Sequence, residues 1–461
     1  MAEPNACVGW HCPRIIPCRS GAVRCSASVR FAAVVVAAGL AGCTSAVTLE
    51  IASDRPVPRA LDSICVGVAA QADQFGRDYR LDTRVLPQTL RVDGPAGTIA
   101  WVRGDQGGVA TQLVSAPVDG DTTLDLRACV KGPGAAPALV GSPVGPASAR
   151  LAASEGRGGA VVVAVGAGAS LIDASGRALV ASDLPAPPPG NVVALIAADL
   201  DGDCDDDLVI ATDGAAPTVW LRDGKTFTPG DAIGKVAAQV AAADVDHDGD
   251  TDLVVGYGST LQLWLNDGGA HFTQATSALT GGGHVSAVSA LAMADLDGDG
   301  NADLVVGQNG APLAAWLGTG GTFDFNDGAV PPVSLPVERL TLADANGDFA
   351  PDLAIAVTGA PMRLLINRGD GRLEDRTFVT LPSPPTIHAA AFGGWDDGCE
   401  PDAAFATDAG TPTLHGQPGG AFAADSVTAP AATDVLFYDI DDNGALDALF
   451  ATAQGVQWLA R

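Results

Sequence analysis

The chain has 461 residues, enough for two or three domains, and 47% of them are hydrophobic while only 5% are aromatic; with 57 glycines this composition suits strands and turns better than helices. The formal net charge is -29, and because residues 1–42 hold Arg14, Arg19, Arg24 and Arg30 against Glu3, a net +3, the remainder carries -32. A surface of that sign repels nucleic acid and anionic lipid, which leaves cations, basic proteins or neutral ligands as the expected partners.

Residues 1–42 read as a secretory leader. The run FAAVVVAAGLAG over 31–42 follows Arg24 and Arg30, is too short to span a bilayer and ends in small residues. The four residues Leu40-Ala41-Gly42-Cys43 resemble a bacterial lipobox, and the resemblance implies a diacylglycerol on Cys43 as the first residue of the mature protein. Thr44 after it points to the outer membrane, so contact with a membrane is expected through the lipid anchor only. Four cysteines then remain, and an even count in an exported chain favours disulfides. Cys65 and Cys129 lie in one expected domain and form the candidate pair. Cys204 and Cys399 would pair only if two distant repeat loops meet.

Residues 43–60 read as a tether. Over 61–130 the runs SICVGVAA, QTLRV, GTIAWVRG and TTLDLRACV, separated by Gly, Pro and Asp turns, predict a small β-sandwich-like domain. Residues 131–147 (KGPGAAPALVGSPVGPA) form a Pro/Gly-rich linker in which 138–141 is a candidate strand.

From residue 148 to 461 a repeat takes over. Its marker is a ten-residue acidic loop: DLDGDCDDDL from Asp199, DVDHDGDTDL from Asp244, DLDGDGNADL from Asp295, DANGDFAPDL from Asp344, a decayed GWDDGCEPDA from Gly394, and DIDDNGALDA from Asp439. An apolar run enters each loop, a β-branched run such as DLVVG leaves it, and third and fourth runs follow a turn. Four short strands per 45 to 51 residues predict a propeller blade. A weakened copy, GGAVVVAVGAG followed by SLIDASGRAL, lies upstream with ASEGRGG in place of the acidic loop, which makes seven blades in an all-β chain. The last copy stops after its third strand, so the strand near 138–141 is expected to complete it and close the ring.

The loops carry the chemistry. Aspartate or asparagine at positions 1, 3, 5 and 9 offers hard oxygen ligands at a spacing suited to calcium, and glycine at position 6 permits the sharp turn. Expected ligands are Asp199, Asp201, Asp203 and Asp207; Asp244, Asp246, Asp248 and Asp252; Asp295, Asp297, Asp299 and Asp303; Asp344, Asn346, Asp348 and Asp352; and Asp439, Asp441, Asn443 and Asp447. About five calcium sites are therefore expected, and none in the decayed copy, which keeps only Asp396 and Asp402.

The DxDxDGxxDL loops and the Gly-Ala-Pro turns, as at Gly310 to Pro312 and Gly359 to Pro361, resemble the FG-GAP and VCBS repeats of integrin α-subunit propellers and bacterial surface proteins. The resemblance implies a calcium-bearing β-propeller used in adhesion or in recognition of protein or glycan partners, without catalysis.

Other signals weigh less. Arg368-Gly369-Asp370 falls in the turn between third and fourth strands, as WLRDG and WLNDG do in sibling copies. Trp220, Trp264, Trp316 and Trp458 recur at equivalent positions and read first as packing between blades. Neither HExxH nor GxSxG is present. Two rival readings stand beside the scaffold: a propeller-based carbohydrate-active enzyme, which would need a cluster of His, Lys, Tyr or Arg around the channel that so few basic residues do not promise, and a structural component of an outer-membrane assembly.

Overall fold

The computed structural model describes strand backbones between residues 16 and 126 and most of residues 138–460. Side chains before residue 142 other than Ile51, the segments 155–160, 175–178, 276–278, 280–284, 396–399 and 442–445, and a few shorter stretches lie outside the described residues, and with them Cys43, Asp396, Cys399, Asn443, Cys129 and the side chain of Cys65.

The amino-terminal strands form two sheets. One is five-stranded, ordered Ile16–Pro17, Asp78–Asp82, Ser63–Ala69, Ile99–Gln106 and Val109–Pro117; the other is three-stranded, with Ala46–Ser53 between Gln88–Asp93 and Thr122–Leu126. The expected tether over 43–60 is therefore corrected in part, because Ala46–Ser53 pairs antiparallel with Gln88–Asp93 and parallel with Thr122–Leu126. Its alternation of Val47, Leu49 and Ile51 is a strand signal, and Ile51 is fully buried. Two residues within the expected leader are paired as well, with Ile16 opposite Arg80 and Pro17 opposite Tyr79.

Beyond residue 138 the described strands group into seven antiparallel four-stranded units. Their first strands are Ser148–Ser154, Val192–Ala198, Gln239–Ala243, Val288–Ala294, Ser334–Ala343, Ala389–Gly393 and Asp434–Tyr438. Each first strand lies beside the first strand of the next unit, and the last returns to the first, which is the topology of a β-propeller. The ring closes as the sequence predicts: Ala138–Val144 pairs with Gly455–Ala460 and supplies the outer strand of the seventh unit. The expected linker over 131–147 is thus partly sheet. An edge that would otherwise expose unpaired N–H and C=O groups is covered by strand exchange between the two ends of the repeat region.

Apolar packing lies between units rather than within them. Each cluster of buried side chains straddles two adjacent units, as Leu208, Ile210 and Trp220 of the second unit do with Val163, Val165 and Leu171 of the first. The seventh joins the first through Trp458, Leu449 and Ile172. Sheets covered on both faces explain why second strands such as Asp207–Thr212 and Asp352–Val357 are buried at every position and read as continuous apolar runs instead of alternating. Trp220, Trp316 and Trp458 are fully buried at these junctions, so their recurrence is packing. Arg150 and Arg339 lie in the first strands of the first and fifth units, and His388 precedes that of the sixth.

Candidate metal centres

Each acidic loop joins a first strand to a second strand, so all of them lie on one face of the ring. The position-1 aspartate organises the turn. Asp295 accepts the N–H of Gly298 on Oδ1 at 2.6 Å and that of Gly300 on Oδ2 at 3.1 Å; Asp344 accepts Gly347 at 2.7 Å and Phe349 at 2.9 Å. Asp199 receives Gly202, Asp203 and Cys204 in the same way. Position 5 repeats the device one step on, with Asp203, Asp248, Asp299 and Asp348 each accepting the N–H two residues later. These short-range bonds turn the carboxylates of positions 1, 3 and 5 toward one another.

The turn needs left-handed backbone at position 6, where Gly300 has φ 91°, and the non-glycine residues Cys204 and Phe349 are held at 66° and 65°. Position 4 needs it too, and His247 sits there at φ 61°. The sequence reading found only the first of these two positions.

The result is a set of oxygen clusters. Asp199, Asp201 and Asp203; Asp244, Asp246 and Asp248; Asp295, Asp297 and Asp299; and Asp439, Asp441 and Asp447 each bring three carboxylate oxygens within 4.8 Å of one another. Such groups could hold a metal ion. Two like charges at about 4 Å repel by roughly 4 kcal/mol at an effective dielectric of 20, a cost that a divalent cation reverses. The chemistry of the donors fits a hard cation, since every donor is oxygen, and Oδ1 of Asp201 is buried without a hydrogen-bond partner. In the loop from Asp344, Asn346 takes the middle place and its Nδ2 donates to Asp348 Oδ2 at 3.2 Å.

Position 9 behaves differently. In the first three clusters Asp207, Asp252 and Asp303 stand outside the triad, and only Asp447 of the last loop joins one. Each of these side chains is essentially buried and fastens the loop to the sheet. Asp303 Oδ2 accepts Leu296 N at 2.7 Å and Oδ1 accepts Gly318 N at 2.8 Å; Asp252 does the same with Val245 and Asn266, Asp207 with Leu200 and Arg222, and Asp352 with Ala345 and Asn367. In the decayed copy Asp402 still accepts Gly416 N at 2.9 Å. The staple thus persists where positions 1 and 5 have become glycine. Each oxygen retains a second lone pair, so a staple can also serve as a ligand.

Burial drives the carboxyl groups of Asp252 and Asp303 up to about 7 and that of Asp352 up to about 8, against the opposing pull of the two backbone N–H bonds and with added repulsion from neighbouring loop carboxylates. Asp207 is raised well above the usual range for the same first reason.

Adjacent units are coupled at the loops. At three junctions the turn between third and fourth strands of the following unit lies over the preceding loop: Ala270 N donates to Leu200 O at 3.0 Å, Gly321 N to Val245 O at 2.8 Å and Gly371 N to Leu296 O at 3.1 Å. Asn266 and Asn367 add side-chain bonds to Leu200 O and Leu296 O. His247 Nε2 meets Asn301 Oδ1 of the next loop at 2.6 Å. Arg368-Gly369-Asp370 belongs to one of these covering turns, with Arg368 paired to Glu374.

At the junction of units one and two, where the first loop lacks the carboxylates, a buried guanidinium takes the role. Arg222 is 2% exposed, and it donates from Nη1 to Ser154 Oγ at 2.7 Å and from Nε to Gly224 O at 2.6 Å. Replacing Arg222 with Met is expected to cost about 2 kcal/mol in chemical denaturation, the size of charge-assisted hydrogen bonds lost from a buried site. A cost near zero would mean that solvent carries this junction.

A family model for the FG-GAP-like repeat matches residues 199–255, 244–306 and 295–355, each match opening at position 1 of one loop and running through the next. The chain is a β-propeller that carries FG-GAP-like repeats over residues 199–355. Comparison with curated proteins found no match. Among solved structures, the propeller is similar to a lectin from Agrocybe aegerita described with specific recognition of non-reducing terminal N-acetylglucosamine, at 18% identity over 70% of this chain and 94% of that chain, with a TM-score of 0.45. It is also similar to BBS1N in complex with ARL6DN, at 13% identity over 72% of this chain and 96% of that chain, with TM-scores of 0.44 and 0.45 in mercury- and lead-soaked crystals.

In this propeller Cys204 is disulfide-bonded and buried, and its partner sulfur lies outside the described side chains. The candidate pair Cys65 and Cys129 and the lipidation candidate Cys43 likewise fall outside the described side chains.

Proposed function

We propose that the protein is an exported, lipid-anchored cell-envelope scaffold whose propeller is stiffened by calcium at about five acidic loops and which binds a protein or glycan partner without catalysis. The observation that carries the calcium part is the clustering of three carboxylates within 4.8 Å in four separate loops, each placed between two units of the ring. Bound calcium would supply charge neutralisation there, holding each loop closed beneath the turn of its neighbour. Positions 1, 3 and 5 would be its side-chain ligands, from Asp199, Asp244, Asp295, Asp344 and Asp439 onward. A scaffold reading is supported by this placement, because the loops from Asp199, Asp244 and Asp295 are each hydrogen-bonded to a turn of the next unit, where a bound ion would brace structure.

Export and anchoring rest on the leader and on Cys43. No helix among the described residues is long and apolar enough to cross a membrane. Replacement of Cys43 by Ser is expected to move the protein from the membrane pellet to the soluble fraction, and continued sedimentation with membranes counts against the anchor. The binding role is tested by probing glycan arrays and cross-linking to envelope proteins, each with calcium and after its removal. Saturable, calcium-dependent capture is expected; the absence of saturable binding in both formats refutes the scaffold.

A further inference from the structure

One register position of the third strands touches two acidic loops at once where it holds asparagine. It lies two residues beyond the partner of loop position 10, and Arg222, Asn266, Gly318, Asn367 and Gly416 occupy it in units two to six. In all five the backbone N–H donates to Oδ1 of the position-9 aspartate of the same unit, at 2.7 to 2.9 Å. The side chains differ, and with them the reach toward the preceding unit.

Asn266 Nδ2 donates to Leu200 O at 2.7 Å, in the loop of unit two, and to Thr251 O at 3.0 Å, in the loop of its own unit. A single amide group, on a residue 5% exposed, therefore joins the two loops directly. Leu200 stands between the ligand positions Asp199 and Asp201, and its N–H is held by Asp207 Oδ2 at 3.0 Å. Hydrogen bonds thus run without a break from Asp207 through Leu200 and Asn266 to Asp252. The same chain recurs between units four and five. Asp303 accepts Leu296 N at 2.7 Å, Leu296 O accepts Asn367 Nδ2 at 2.8 Å, and Asn367 N donates to Asp352 at 2.7 Å. Asn367 is 1% exposed. At the junction between units three and four, Gly318 has no side chain to make this link, and Arg222 reaches Ser154 of unit one, which has no acidic loop.

Carboxylates at positions 1, 3 and 5 converge on an ion only in one conformation of the turn, so binding must fix the loop backbone. A loop whose position-2 carbonyl is already held from its neighbour has less freedom left to lose, and occupancy of the neighbour then favours its own. Linkage makes the effect reciprocal. A neutral amide suits the role, since it offers two donors to two carbonyls and adds no positive charge to compete with the ion.

We propose, on the basis of the calcium reading above, that Asn266 and Asn367 are positioning residues that make cation binding cooperative within two pairs of loops: those from Asp199 and Asp244, and those from Asp295 and Asp344.

Hydrogen exchange read by mass spectrometry on peptides covering residues 199–207, in full-length protein at graded calcium concentrations, gives the concentration that half-protects that loop. Asp248→Ala removes a ligand from the neighbouring loop. It is expected to raise the half-protecting concentration for 199–207 roughly fivefold, the low end of ordinary coupling between sites, and to leave the loop from Asp439 unchanged. In an Asn266→Gly background the same substitution is expected to produce no shift. Glycine keeps the backbone donor, as Gly318 and Gly416 do at this position. Asn367→Gly with Asp348→Ala, read on residues 295–303, repeats the cycle at the second junction and stands alone if Asn266→Gly does not fold. An unmoved half-protection point after Asp248→Ala, or a shift that persists in the glycine backgrounds, overturns the coupling and leaves calcium binding in place. Absence of calcium-dependent protection at every acidic loop of the unaltered protein overturns both.

Discussion

Stripping calcium from the protein lowers its unfolding midpoint, and the gap between stripped and calcium-loaded protein widens as pH rises from 5 to 8. With a dissociation constant of about 0.1 mM, 1 mM calcium stabilises the fold by roughly 1.4 kcal/mol per site, and five independent sites reach about 7 kcal/mol, comparable to the whole stability of an ordinary domain. The pH trend follows from the buried staples. In the metal-free fold Asp252 and Asp303 titrate near 7 and Asp352 near 8, whereas the unfolded chain has ordinary aspartates close to 3.9. Between about pH 4 and 8 the folded state therefore holds more protons than the unfolded state, and stability falls as pH rises through that window. Calcium supplies positive charge to the same loops without needing protons, so its benefit grows where protons leave. Melting curves of dialysed, metal-stripped protein at pH 5 and pH 8, with and without 1 mM calcium, check this directly. Equal midpoints with and without calcium at pH 8, together with no metal by elemental analysis, would remove the calcium reading.

Asp303→Ala is expected to be among the most damaging single substitutions in the propeller, and Asp299→Ala in the same loop among the mildest until calcium is added. Asp303 is fully buried and accepts two backbone N–H groups, from Leu296 and Gly318. Its loss orphans both donors in the interior, at a cost of about 4 kcal/mol in metal-free protein. Asp299 is exposed, and its side chain accepts two local bonds, from the N–H and from Nδ2 of Asn301 two residues on. Its removal relieves repulsion from Asp295 and Asp297, so metal-free stability should change by less than about 0.5 kcal/mol. Calcium-dependent stabilisation, by contrast, should shrink by the contribution of that loop. Denaturant melts of both variants in stripped and loaded form separate the roles. If both variants lose the same stability without metal, position 9 is not a staple distinct from the ligand positions.

Much of this architecture is legible because a propeller repeats one grammar. The spacing of loops from Asp199 to Asp439 sets the unit, and the runs DLVIAT, DLVVGY and DLAIAV mark strands covered on both sides. The closing strand near residue 138 was legible too, since a last unit that stops after three strands must borrow a fourth. The strand Ala46–Ser53 was not, because its short alternation follows directly on the expected leader, among residues that resemble a spacer. Nor was the second left-handed position of the loops, where His247 stands among glycines and gives no side-chain signal.

The sequence by itself determined the period of the repeat and the carboxylates able to gather around an ion, because these depend on neighbours within ten residues and on side-chain chemistry alone. Only the tertiary structure decided what those groups touch. That position 9 fastens a loop to its third strand, that a turn of the next unit covers the loops from Asp199, Asp244 and Asp295, that Arg222 stands in at the junction without an acidic loop, and that Arg339 reaches Asp434 past an intervening unit all depend on contacts between residues 14 to 95 positions apart. Such contacts arise from closing the ring, which puts equivalent positions of distant units on one layer, and no local pattern records which side chains will face one another there.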